Sequence, residues 1–152
     1  MKTQINMKNG NIQERLNKLL SDYQVYYQNL RAFHWLVKGQ RFFQLHKLFE
    51  SMYTEAAENV DEIAERILTV GGIPLHSFSD YLENANLKPE KNLRKESEIM
   101  PVVISNTEHL LSSYRVILAE ASEIEDEGTV ALMSDLIGST EKQLWMLKSM
   151  AE

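Results

Sequence analysis

The chain has 152 residues, 43% of them hydrophobic and 25% charged, which is enough for one globular domain with a real core. No cysteine occurs, so disulfide frameworks and thiolate metal sites are excluded. A formal net charge of −6 argues against a general nucleic-acid surface and suits the handling of cations.

The opening residues, MKTQINMKNG, show neither an apolar leader nor helical periodicity, and residues 1–11 are expected to form a short flexible arm. No apolar run approaches the roughly 20 residues that a membrane span needs. The expectation is a cytoplasmic protein without membrane contact, nucleoid association being left open. A single domain then fills residues 12–150. Its first helix is expected over about 12–37, with a stripe at Leu16, Leu19, Tyr23, Tyr27 and Leu30. Gly39-Gln40 breaks it. The second helix is expected over about 42–70, with Leu45, Phe49, Met52, Ala56, Val60, Ile63 and Ile67 inward, and it stops at the capping pair Gly71-Gly72. The connector GGIPLHSFSDYLENANLKPEKN predicts one short helix near 77–82. A third helix follows over about 97–124, with Pro101 expected in its first turn, and EDEG separates it from a fourth over 129–150. Four long helices with one crossover predict an all-α four-helix bundle.

At 100° per residue the second helix shows three faces. Ser51, Glu55, Glu58, Glu62 and Arg66 form a solvated one. A third, on the order of 130° from the core direction, mixes His46, Glu50, Tyr53, Ala57, Asp61, Ala64, Glu65 and Leu68. Small and aromatic residues among acids and a histidine point to contact with another helix. His46 and Asp61 lie roughly 22 Å apart along a straight helix, so one chain cannot bring them to one metal. Two copies packed antiparallel about a two-fold near residues 55 and 56 would set His46 and Glu50 of one against Asp61 and Glu65 of the other. His34 and His46 are equidistant from Gln40, so a hairpin brings them level. Such a mixed nitrogen and oxygen set suits iron or zinc. The bland alternative is that these acids are ordinary surface residues and the histidines polar interface groups.

The motifs FHW, FFQLHKLFE, DEIAER, GGIPLHSFSDY and KQLWML, in this order over residues 16–150, resemble the Dps family of miniferritins. The resemblance implies a ferritin-like subunit in a hollow homo-dodecamer. It implies ferroxidase sites between two-fold-related chains, formed by His34, His46 and Glu50 of one chain with Asp61 and Glu65 of the other. The family often carries Asp at the Glu50 position. The implied reaction is oxidation of Fe(II), preferentially by hydrogen peroxide, at one or two irons per site, with a ferric mineral stored inside as protection against oxidative stress. The acids Asp126, Glu127 and Asp135 lie where the family builds three-fold cation pores; the other reading is a solvated loop with acids suited to a helix N-terminus. Trp35 and Tyr53 could relay electrons or quench radicals, against a plain packing role.

Family members that condense DNA usually have a basic tail. This chain offers Lys2 and Lys8 before its first helix and ends LKSMAE, so DNA binding is expected to be weak or absent. His76 and His109 show no carboxylate constellation in the sequence and are expected to be non-ligands, and Trp145 is expected in the core. A di-iron site inside one bundle would need Glu-x-x-His, yet Arg31, Phe43, Ile73 and Asn106 stand three residues before the four histidines. The remaining alternative is a non-enzymatic DNA-protecting or structural shell with a vestigial metal site.

Overall fold

A computed structural model describes the backbone of residues 2–151 and the side chains of residues 11–151. Five helices follow one another: α1 Lys2–Leu36, α2 Phe42–Thr69, the short α3 Phe78–Asn84, α4 Glu96–Glu123 and α5 Glu127–Ala151. Among the described residues the only β-type pairing is an isolated parallel bridge between Lys38 and Lys95. No described helix is long and apolar enough to cross a membrane.

The punctuation is local chemistry. Gly39, at φ +129°, makes the turn between α1 and α2. At the end of α2 the Gly72 amide donates to the Ile67 carbonyl (2.8 Å) and Gly71 to Leu68 (3.0 Å), with Gly71 at φ +89°. This is a Schellman cap. The same pair of bonds closes α4, from Asp126 to Ala121 and from Glu125 to Ser122, but there Glu125 takes the left-handed position at φ +58°.

Two expectations shift. α1 begins at Lys2, so its backbone runs through the residues expected to form an arm. Lys, Gln and Met are good helix formers, and Gly10 alone costs only about 1 kcal/mol. Pro101 is the sixth residue of α4, beyond the first turn, and withholds a donor from the Ser97 carbonyl. Ser97 is exposed, where water can replace that bond.

Polar side chains of α1 hold the crossover along the length of the bundle. Gln13 donates to the Val70 carbonyl (2.8 Å), and Asn17 donates to Ile73 (3.1 Å) and accepts from the Leu75 amide (2.9 Å). Further along, the buried Asp22 accepts from the Asn86 and Leu87 amides, and Asn29 accepts from Glu90 and donates to Lys88. Backbone groups that a strand or helix would satisfy internally are satisfied this way instead. The crossover therefore runs parallel to α1, and α4 starts beside the end of α1, where Lys38 bonds Arg94. The result is an up-down-down-up bundle.

Leu16, Phe33, Phe49, Ile63, Ile99, Val103 and Met133 are among the residues filling the core. Trp145 is not. It is 66% exposed, because it lies two residues, or about 200°, from the buried Leu147 on α5.

Candidate metal centre

His34 sits in the last turn of α1 and His46 in the second turn of α2. Their rings stack with centroids 3.7 Å apart and planes 12° from parallel. His34 Nδ1 is 2.6 Å from the His46 carbonyl oxygen, and His46 Nδ1 is 2.7 Å from the His34 carbonyl oxygen. A carbonyl cannot donate, so both Nδ1 atoms carry the proton. Both Nε2 atoms are left with a free lone pair. The end of α1 leaves the His34 carbonyl unpaired, since the Lys38 amide, four residues on, bonds Arg94 instead, whereas the His46 carbonyl, inside α2, accepts with its second lone pair. His34 is 8% exposed, Phe42 stacks on His46 at 5.0 Å, and Tyr53 meets His34 edge-on at 5.3 Å. The two imidazoles are thus oriented before any ligand arrives.

The acids are arranged differently. Glu50 lies one turn beyond His46, and Asp61 and Glu65 lie further along α2; all three are exposed and make no ion pair among the described residues. No three His, Asp or Glu side chains converge on a metal-sized point within one chain among those residues. Ala57 and Leu68 are also exposed, Leu68 at 58%, while Tyr53 and Ala64 are half-buried. Three further apolar side chains escaped the sequence reading: Ile73, before α3, and Phe78 and Leu82, on α3 where it packs along α1, are 75%, 81% and 59% exposed. Their signal was apolar residues in a short helix with no buried face of its own.

Other expected residues find unexpected partners. Arg66, assigned to the solvated face, crosses to the start of α5: its Nη2 is 2.7 Å from Asp126 Oδ1, and its Nε donates to Thr129 Oγ1 at 3.0 Å. Asp126 caps α5 by accepting from the Thr129 amide (3.2 Å) and hydroxyl (2.6 Å). A Cβ at Gly128 would lie 2.5 Å from the Arg66 guanidinium, which would have to move aside. Glu127 and Asp135 remain exposed. His109, expected to be a non-ligand, bonds a single carboxylate, Asp22 Oδ2, through Nε2 at 2.8 Å; it clamps α4 to α1 and the crossover. His76 is exposed and, among the described residues, bonds only the Pro74 carbonyl. Trp35 is 57% exposed, so packing within the chain does not hold it; the Arg31 guanidinium lies between it (5.0 Å) and Tyr27 (5.1 Å).

The chain is similar to known proteins over nearly its whole length. Residues 13–152 match the ferritin-like domain family. The DNA protection during starvation protein of Porphyromonas gingivalis is 43% identical over 136 residues, covering 90% of this chain and 86% of the relative. The crystal structure of the DPS protein from Vibrio cholerae O1, described as a member of a broad superfamily of ferritin-like diiron-carboxylate proteins, superposes with a TM-score of 0.94 at 42% identity, covering 96% of this chain and 92% of that one. A Dps protein from Bacillus brevis superposes with a TM-score of 0.93 at 34% identity, each chain fully covered.

Proposed function

The chain belongs to the Dps family of ferritin-like proteins, and from this premise we propose that it oxidises Fe(II), preferentially with hydrogen peroxide, and stores the ferric product inside a hollow homo-dodecamer. The site is shared. His34, His46 and Glu50 of one copy face Asp61 and Glu65 of another across a two-fold. The observation that carries this reading is the reciprocal hydrogen bonding of the two imidazoles. It frees two nitrogen lone pairs at the edge of a face whose carboxylates make no ion pair among the described residues.

The stacking also bears on the number of irons. An imidazole binds a metal in its ring plane at about 2 Å. A metal midway between planes stacked at 3.7 Å would lie well outside both. Each imidazole therefore addresses its own iron, and two-metal sites typically have that order of separation. Glu50, one turn beyond His46 on α2, would serve the iron there, and Asp61 and Glu65 of the other copy would complete the carboxylate set. Carboxylates on both sides favour Fe(III) over Fe(II), which drives the oxidation. Glu127 and Asp135 attract cations toward the cavity; Asp126 is committed to its cap and to Arg66.

DNA coating is the second reading. It has one structural observation in its favour: Lys38, Lys88, Lys91, Arg94 and Lys95 are exposed at one end of the bundle. The net charge of −6 per chain opposes it. No gel shift is expected near physiological salt without divalent cation; a tight, salt-sensitive shift would favour coating. The test of the main reading is anaerobic Fe(II) oxidation on protein of measured size, with and without peroxide. Rapid oxidation that requires peroxide, by a large assembly, supports it. A stable monomer, or equal rates with peroxide and with oxygen, contradicts it.

A further inference from the structure

The middle of the bundle holds a group that neither the core nor the metal centre explains. Tyr23 and Tyr26 of α1 and Tyr114 of α4 are buried, and all three line a polar cavity of about 30 Å³ between the four long helices. That volume holds about two waters. The Tyr23 and Tyr114 hydroxyls are hydrogen-bonded to each other, and Asn59 donates to the Tyr23 oxygen at 3.3 Å. Thr107 spends its proton on the Val103 carbonyl, so Tyr26 donates to Thr107 (3.4 Å). An apolar trio would pack more cheaply, since each buried hydroxyl must find a partner.

An aromatic path joins this group to the metal centre. Tyr53 lies 5.3 Å from His34, and Tyr27 lies 6.0 Å from Tyr53. Tyr26 is the next residue in the chain. Tyr23 lies 6.0 Å from Tyr26, and Tyr114 lies 6.4 Å from Tyr23. Charge gives the path a direction. The Arg31 cation sits over Tyr27 and beside Trp35, which makes an electron harder to remove from those rings. The Glu55 carboxylate lines the central cavity, and its negative charge makes removal easier there.

We propose that Tyr23, Tyr26 and Tyr114 form a one-electron reservoir that takes up oxidising equivalents escaping the metal centre. This rests on the ferroxidase reading above. When a single Fe(II) reduces hydrogen peroxide, the products are Fe(III), hydroxide and a hydroxyl radical. Tyr53 gives that radical an electron and a proton, forming water and a tyrosyl radical. The Tyr23 ring then refills Tyr53 with an electron by way of Tyr26 and Tyr27, and Tyr53 regains a proton from solvent. Tyr23 releases its proton to Tyr114, which passes one on to water in the cavity. A later Fe(II) returns the electron and becomes Fe(III), while water returns the proton. The trio holds the radical away from the surface until that electron arrives.

The test uses assembled protein as wild type and as Tyr23→Phe, Tyr114→Phe and the double variant, each checked for size and helix content. Phe keeps the rings and removes only the hydroxyls. Samples are frozen after exposure to Fe(II) with peroxide, and separately to a photo-generated one-electron oxidant without iron, and are examined by electron paramagnetic resonance. The expected result is a tyrosyl signal in wild type with both oxidants and its loss in the double variant. The initial Fe(II) oxidation rate should be unchanged, and more hydroxyl radical should be caught by a spin trap. A wild type without a tyrosyl signal, or a double variant that keeps the full signal, overturns the reservoir. If iron is not oxidised but the iron-free oxidant still gives a signal that depends on Tyr23 and Tyr114, the reservoir stands and the ferroxidase reading fails.

Discussion

The two halves of the α2 outer face are finished to different degrees. At its beginning, His46 is held by stacking, by a hydrogen bond to the end of α1, and by Phe42 and Tyr53 around the pair. Toward its end, Asp61 and Glu65 are exposed and make no ion pair among the described residues, although Arg66, next to Glu65, is firmly tied to α5. The backbone of the second half is therefore as well placed as that of the first, and only its side chains lack partners. Nitrogen ligands benefit from fixation within the chain, because an imidazole must present one tautomer in one direction. Carboxylates tolerate late assembly, since either oxygen can bind. Such a division suits a site completed by a second copy.

The largest effect should come from blocking that completion. Ala57 lies near the inferred two-fold, and Ala57→Arg would bury unpaired charges there, at a cost of several kcal/mol. Light scattering should show small species and iron oxidation should be lost, while helix content survives. A full-sized, active assembly would remove the face from the interface.

Alkaline titration separates the buried interior from the open face. Burial, first of all, raises the phenols of Tyr23, Tyr26 and Tyr114 above the ordinary tyrosine value. Below about pH 10 these groups are neutral in both folded and unfolded chains, and their contribution to stability is complete. At higher pH the unfolded chain ionises first, so that contribution declines and is gone once the folded-state values are passed. Part of the phenolate absorbance should appear only together with loss of helical circular dichroism. Full ionisation of a still-folded protein would contradict the burial.

Arg66→Ala should cost about 1–3 kcal/mol, because it strips a charged partner from the half-buried Asp126. Its thermal midpoint should fall, and Gly128→Ala should shift it the same way by displacing the guanidinium. The smallest change expected is at Glu125, whose left-handed conformation strains any side chain. Glu125→Gly should stabilise the chain by no more than about 1 kcal/mol, reduced by glycine's freer unfolded state.

Those same residues show what the sequence could reveal. The starts and ends of α2, α4 and α5 were legible to within a residue or two, because apolar period and glycine caps are local signals. The start of α1 was not, since the apolar period begins only near Ile12 while the helix-forming backbone continues before it. The proposal of a second chain came from helix rise, and the full ligand set from the family resemblance. The reciprocal imidazole lock did not, because a carbonyl acceptor leaves no trace in residue identity. Arg66 and Asp126 are 60 residues apart, and Asp22 and His109 are 87 apart; each pair reads as unrelated charges until the bundle closes.

The central claim, a site shared by two chains, is tested most directly by complementation. One variant lacks the imidazoles (His34→Ala with His46→Ala), the other the acids (Asp61→Ala with Glu65→Ala), and each alone should oxidise little iron. An equal mixture is unfolded and refolded together, and the presence of mixed dimers is confirmed. In a mixed dimer one site collects both defects, and the other joins intact histidines to intact acids. Random pairing of an isologous interface makes about half the dimers mixed, so about a quarter of the sites should regain activity. Co-refolded protein no more active than the separate variants would contradict the shared site.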